Sequence, residues 1–384
     1  MDQSQQPKNK NIPGDHENIV SGPLDPNAKA ETTHSDERAM NWLKDAGPAY
    51  SREAVTQNHE GDTVQVGDYS SPLADDVEQP VVQRRYRRRY QLPAVLFLLT
   101  CVSTFFVGVT WWYPLEYFAL PSFDSGVDGL IPLRRMIISH WQDGLIYMVA
   151  VLAILLAHEM GHFVATVRHR IAASLPFFLP FPIAPIGTLG AVIGMDGLRA
   201  NRKQIFDIGV AGPIAGLVVA IPILWAGVSQ LDMSQDRFGM YKLDMPLIMR
   251  WMATASNVPG YDSDPAIWQG QLNPLLMAGW VGLIVTGWNM FPVSQLDGGH
   301  VIYSLFGKRS RWIARLFILS VIAYMVLYSD LQPLLMVGLI LLIGVDHPPT
   351  SDDTVRMGAF RMALGYLSLA IPILCFPPRL MIMS

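Results

Sequence analysis

The sequence predicts an α-helical integral membrane protein, a polytopic bundle of about six or seven transmembrane helices with a membrane-depth hairpin between the second and third. Three observations lead there. The 384 residues are 51% hydrophobic and only 16% charged, too few charges to cover a soluble body of this size. The apolar excess is gathered into runs starting near Leu92, several of them close to the roughly 20 residues a bilayer-spanning helix needs. Residues 175–195, finally, are apolar yet crowded with Pro and Gly, which forbid a regular helix.

Taken in order, residues 1–83 form the first region. They carry 15 acids and 6 bases, a net −9, and no long apolar run. Such a segment buries too little apolar surface to offset its ordering entropy, so a disordered acidic tail is expected, and neither a signal peptide nor a transit peptide. With a total charge of −4, the remainder carries +5, which suits loops beside an anionic leaflet and argues against a nucleic-acid partner. Membrane lipid is the surrounding partner instead.

Residues 84–143 hold the basic run Arg84-Arg85-Tyr86-Arg87-Arg88-Arg89-Tyr90, a first helix at about 92–113 and an outer loop. A basic cluster ahead of the first span marks the untranslocated side, giving a multi-pass protein of the cell membrane with a cytoplasmic N-terminal tail. Further helices are expected at about 144–167, 205–228, 274–292, 312–329, 332–346 and 358–376. The 332–346 run is short enough to be re-entrant instead, hence the count of six or seven. Threaded from the cytoplasm, the inner loops receive Arg168 and Arg170, then Arg199, Arg202 and Lys203, then Lys308, Arg309 and Arg311. Loop 229–273 falls outside. Residues 144–300 would be the functional core, and 301–384 would add C-terminal helices. Cys101 and Cys375 both lie in apolar runs and read as packing residues.

The chemistry concentrates in Leu156-Ala157-His158-Glu159-Met160-Gly161-His162. On a helix, residues four apart share a face, so His158 and His162 can hold one Zn²⁺ per chain while Glu159 serves as general base toward a water. Ionisable side chains inside an apolar span are costly and point to function. A catalytic zinc site takes a third protein ligand. Asp297, in Asn289-Met290-Phe291-Pro292-Val293-Ser294-Gln295-Leu296-Asp297-Gly298-Gly299-His300, is expected at the same depth; capping of the following helix is its competing role, and His300 ranks behind it as a ligand. Asn289 either hydrogen-bonds substrate or packs as a helix amide. Gly209, Gly212 and Gly216 suit close helix packing.

These residues carry a resemblance to the site-2 proteases, a family of intramembrane zinc metalloproteases. The features run in the family's order: the His158–His162 motif, a Pro/Gly-rich hairpin with Gly187 and Gly190, Ala211-Gly212-Pro213, and Asn289 through Asp297-Gly298-Gly299. The resemblance implies a zinc metalloendopeptidase acting on transmembrane protein substrates. It implies His158, His162 and Asp297 as zinc ligands, Glu159 as catalytic base, and Asn289, Gly187 and Gly190 as substrate-binding residues. The hairpin would then pair with an unwound substrate strand. Loop 229–273 is about half the length of a PDZ-like insertion, so gating by such a module is not expected. Two competing functions predict other features: an inactive metal- or substrate-binding module would lack Glu159 or the third ligand, and a transporter would show internal repeats.

Overall fold

The computed structural model describes residues 90–115, 131–195, 199–261, 266–293, 295–377 and 379–383. The expected acidic tail and the Arg84–Arg89 cluster lie outside the described residues. Among the described residues, four helical stretches are long and apolar enough to cross a membrane: Gln91–Val109, Arg134–Arg168, Arg202–Ser229 and Asp297–Tyr328. Two shorter apolar ones, Pro274–Asn289 and Ala359–Cys375, accompany them.

Helix α1, Gln91–Val109, presents Thr100, Ser103 and Thr104 inward. The Thr100 and Thr104 hydroxyls donate to the carbonyls of Leu96 and Thr100 at 2.8 and 2.7 Å, which satisfies them without leaving the helix. Helix α2, Ile131–Arg168, starts ahead of the span expected at 144–167, and at His140 the backbone breaks from helical geometry (φ −123°, ψ 17°). His140 accepts from Trp111 Nε1 at 3.1 Å there, so the break coincides with a polar contact to the end of α1.

Strands β1, Phe177–Phe181, and β2, Gly187–Val192, pair antiparallel in the Pro/Gly-rich segment, with an irregularity between Phe178 and Pro180. Their Pro and Gly content excludes a helix, and the pair is held from both sides. Ser103 Oγ of α1 donates to Gly187 O at 2.6 Å, Tyr147 of α2 donates to Ile186 O at 2.8 Å, and Phe178 packs edge-on against Phe97.

Helix α3, Arg202–Ser229, begins at a capping box: Asn201 accepts from Gln204 N at 3.1 Å, and Gln204 accepts from Asn201 N at 2.9 Å. The region expected as a plain outer loop contains β3, Tyr241–Asp244, α4, Leu247–Ala255, and β4, Ala266–Trp268. Helix α5, Pro274–Asn289, follows, with Asn273 accepting from Leu276 N at 2.9 Å and Pro274 in its first turn. Then come α6, Asp297–Phe306, α7, Ser310–Tyr328, and α8, Leu334–Ile343. The last expected helix is two pieces, α9, Ala359–Ser368, and α10, Ile371–Cys375, divided just ahead of Pro372.

A short strand β5, Met381–Met383, pairs with β3 on the side opposite β4, giving the order β4-β3-β5. This sheet corrects the loop expectation. Strands of three or four residues are too short to show an alternating pattern, and the partner of β3 comes from the far end of the chain. The main core joins α1, α2, α3 and α5 through Val107, Tyr147, Val151, Leu224 and Leu283, and reaches the sheet through Tyr241 and Ile267.

Candidate metal centre

Three side chains from distant parts of the sequence meet in the helical core. His158 Nε2 and His162 Nε2, one turn apart on α2, are 3.2 Å apart. Asp297 Oδ2, on the first residue of α6, lies 3.2 Å from the first and 3.3 Å from the second. His158 and Glu159 are buried, and only 12% of the Asp297 side chain is exposed. Among the described residues Asp297 Oδ2 has no hydrogen-bond partner, so a buried carboxylate oxygen faces two imidazole nitrogens without a proton aligned between them. The His162 tautomer has a stated cause. Its Nδ1 lies 2.8 Å from Ile208 O and donates to it, which leaves the Nε2 lone pair facing the cluster.

The near-equilateral spacing is a test of metal fit. Tetrahedral ligands about 2.0 Å from a zinc ion stand roughly 3.3 Å apart, the separation these three atoms have. Two imidazoles and a carboxylate are a donor set zinc accepts. His158, His162 and Asp297 therefore form a site able to hold the ion.

The surrounding helices are built to admit these side chains. A Cβ on Gly212 of α3 would overlap the His162 ring, so the glycine leaves the space the imidazole fills. The glycine face expected to serve helix packing thus also houses the histidines, with Gly216 against His158. After Asn289, α5 stops and the chain turns through Pro292. A Cβ on Gly298 would overlap the carbonyl of Met290, so Asp-Gly-Gly allows α6 to start hard against the end of α5. Asp297 stands in the first turn of α6 with no side-chain cap to its own helix, and its carboxylate is favoured there by the helix dipole. The other end of α6 is fixed by Arg202, whose Nε and Nη2 donate to the carbonyls of Ser304 and Leu305 at 2.6 and 3.1 Å.

Asn289 Nδ2 lies 3.2 Å from His158 Nε2, which places this amide beside the three-atom cluster. Glu159 follows His158 on α2 and is 6% exposed. The hairpin glycines stand elsewhere. Gly187 (φ +80°) packs with its Cα side against Thr104, while no atom lies within 4 Å of where a Cβ on Gly190 (φ +98°) would stand. Gly187 thus has a structural reason to be glycine in both its backbone angle and its contact with α1.

His300, the weaker ligand candidate, is turned away. Its Nδ1 lies 2.6 Å from His347 Nε2, the His347 ring stacks on Tyr303 at 4.4 Å, and Tyr303 donates to Asp353 at 2.8 Å. Burial holds the His347 imidazole below its ordinary pKa. A second polar group joins α9 to α2 and α3: Arg361 donates to both carboxylate oxygens of Asp207 at 2.7 and 2.9 Å, and His169 lies 3.1 Å from the same carboxylate. The sequence marks Asp346-His347-Pro348-Pro349 as polar residues beside an apolar run, but nothing in it names His300 as their partner.

Fold and site together define a polytopic membrane protein with a buried His-His-Asp cluster able to hold a metal ion, beside a helix-borne glutamate. Residues 146–329 match Peptidase family M50, so the chain carries a domain of that family, to which the site-2 proteases belong. It is 30% identical over 307 residues to the probable zinc metalloprotease EGY1, chloroplastic, of Oryza sativa subsp. japonica, covering 76% of this chain and 50% of that protein. It is 28% identical to the Arabidopsis thaliana protein of the same name (76% and 53% covered) and 25% identical to the probable zinc metalloprotease EGY2, chloroplastic, of Arabidopsis thaliana (62% and 42%). The chain thus spans about half the length of the relatives it matches. No solved structure matches it.

Proposed function

We propose that the protein is an intramembrane zinc metalloendopeptidase that hydrolyses peptide bonds of transmembrane protein substrates. The observation that carries this is the triangle of His158 Nε2, His162 Nε2 and Asp297 Oδ2, 3.2–3.3 Å on a side, next to the buried Glu159. His158, His162 and Asp297 would hold the ion. Zinc, when bound in such a site, lowers the pKa of water to about 7 and acts as a Lewis acid toward a carbonyl. Glu159 takes one proton from the attacking water as its oxygen bonds to the scissile carbonyl carbon. The same carboxyl then returns that proton to the amine nitrogen as the C–N bond breaks. Asn289, whose Nδ2 lies 3.2 Å from His158 Nε2, would donate to the substrate carbonyl, and the Ile208 carbonyl holds His162 in the tautomer that presents Nε2 inward.

A peptide bond inside a helix is shielded by its own backbone hydrogen bonds, so the substrate must unwind locally. The free edge of the β1–β2 pair offers an unwound strand its hydrogen-bond partners, with Gly190 leaving room beside it. We assign the chain to the cell membrane, with six or seven spans, the hairpin at membrane depth, and the 1–83 tail and the zinc site toward the cytoplasmic face. The basic run Arg84–Arg89 and the basic inner loops support that orientation.

The experiment is zinc content and cleavage of a panel of transmembrane substrates by the purified wild type, Glu159→Gln and Asp297→Ala. Wild type should hold about one zinc and cleave. Glu159→Gln should keep the metal and lose about 10²–10⁴-fold in cleavage. Asp297→Ala should lose metal affinity. A wild type that binds no zinc, or a Glu159→Gln that cleaves as well as wild type, would sink the protease reading and leave a binding module.

A further inference from the structure

A cavity of about 780 Å³ does not include the metal cluster. It lies between the α5–α6 turn, α7, the start of α8 and α10. Its wall is chiefly apolar, with Trp288, Phe291, Phe317, Met336 and Phe376 among its residues. Two charged side chains, Arg250 and Asp330, also line it. Both belong to the same layer of the fold. Arg250 is on α4 beside β3, and Gln332, two residues after Asp330, donates to the carbonyl of Met381 on β5, the strand paired with β3. At the other end stand Phe291, Pro292 and Ile302, from the turn and helix that carry Asp297. Its lining therefore extends from Arg250 and Asp330 to the turn that precedes Asp297, without including Asn289.

The space is partly open toward the surface of the helix bundle, so an occupant can enter it from the surrounding membrane. Water is a poor one, because a held water needs two to four polar partners and this lining is mostly apolar. Beside helices long enough to cross a membrane, the abundant apolar species is the acyl chain. Of the two charged lining residues, Arg250 is the one that can donate to a headgroup. Arg250 donates through Nε to Met245 O at 2.8 Å and through Nη2 to Asp244 at 3.0 Å, leaving Nη1 unengaged among the described residues. A guanidinium with an uncommitted amino group is a phosphate donor.

We propose that this cavity is a phospholipid site, with one acyl chain along the apolar wall and the phosphate on Arg250. It is separate from proteolysis, and its readout is lipid rather than cleavage. Full-length protein in detergent would be titrated with palmitoyl-oleoyl phosphatidylglycerol and, in parallel, with palmitate, and followed by native mass spectrometry. Wild type should take up phosphatidylglycerol as a saturable adduct. Val321→Trp, which fills the cavity, should weaken it by about tenfold or more with zinc content unchanged, and Arg250→Gln should weaken it severalfold. Should Val321→Trp fail to fold, Ser320→Cys decides: phosphatidylglycerol should slow its maleimide labelling. Phosphatidylglycerol binding to a folded Val321→Trp as to wild type, palmitate binding as tightly as phosphatidylglycerol, or labelling of Ser320→Cys slowed by a synthetic transmembrane peptide and not by lipid would each overturn the proposal.

Discussion

Helices α5 and α7 are both apolar, and they live in different surroundings. Eleven residues of α5 are buried, whereas only Ser310, Ala314 and Ile318 of α7 are. On α7, Leu316, Val326 and Leu327 are 67–78% exposed. Apolar character alone does not separate the two. The separation follows from glycine: Gly279 and Gly282 let α5 approach Leu224 and Ile154 closely, while α7 has no glycine and packs along one stripe. The metal site is built on the closely packed side, where positions are fixed, and the large cavity opens on the loosely packed side. A rigid support suits a metal centre, because ligand atoms must hold their spacing to within tenths of an ångström.

The most direct way to break this contrast is to add volume where the core is tightest. Gly212→Val should displace the His162 ring, cost about 1–3 kcal/mol, and lower zinc content, as read by thermal unfolding and metal analysis. Retained zinc at wild-type stability would show that α2 and α3 have more freedom than their contact implies. A smaller effect is expected at the hairpin. Ser103→Ala removes the hydrogen bond to Gly187 O and should cost about 1 kcal/mol, raising the KM for substrate more than it lowers kcat if β2 receives the substrate strand. An unchanged KM would separate the hairpin from substrate binding.

The His347 cluster gives a pH-dependent test on the C-terminal side. Burial lowers the folded-state pKa of His347, so the protonated form favours the unfolded chain. Its contribution is complete above the ordinary imidazole value of about 6.5 and is lost as pH falls from there through the depressed value. The groups facing it are His300, Tyr303 and Asp353. Wild type should lose melting temperature between neutral pH and pH about 5 more steeply than His347→Phe. Equal slopes would remove His347 from the account. The smallest effect belongs to Leu327→Ala on the exposed face of α7, expected within about 0.5 kcal/mol and with zinc content unaltered. A larger loss would mean that this face is covered.

Much of the site was legible in advance because its chemistry repeats at helix spacing. His158 and His162 stand four apart, and burial of two imidazoles and a glutamate in an apolar run is costly enough to be noticed. Asp297 was legible for a different reason, as an acid at the break of another apolar run. The His300–His347 and Asp207–Arg361 pairs were not. Their members are 47 and 154 residues apart, and a single histidine or aspartate near a helix end carries no sign of its partner.

The sequence by itself determined the class, the helix-forming runs, the non-helical segment at 175–195 and the residues able to bind zinc. These follow from local properties: apolar length, helix periodicity, and the backbone limits of Pro and Gly. Only the tertiary structure decided that Asp297 and not His300 completes the cluster, that glycines of α3 make room for imidazoles, and that β5 pairs with β3. Each of these depends on which atoms meet across long stretches of chain, and that is set by packing of all the helices together.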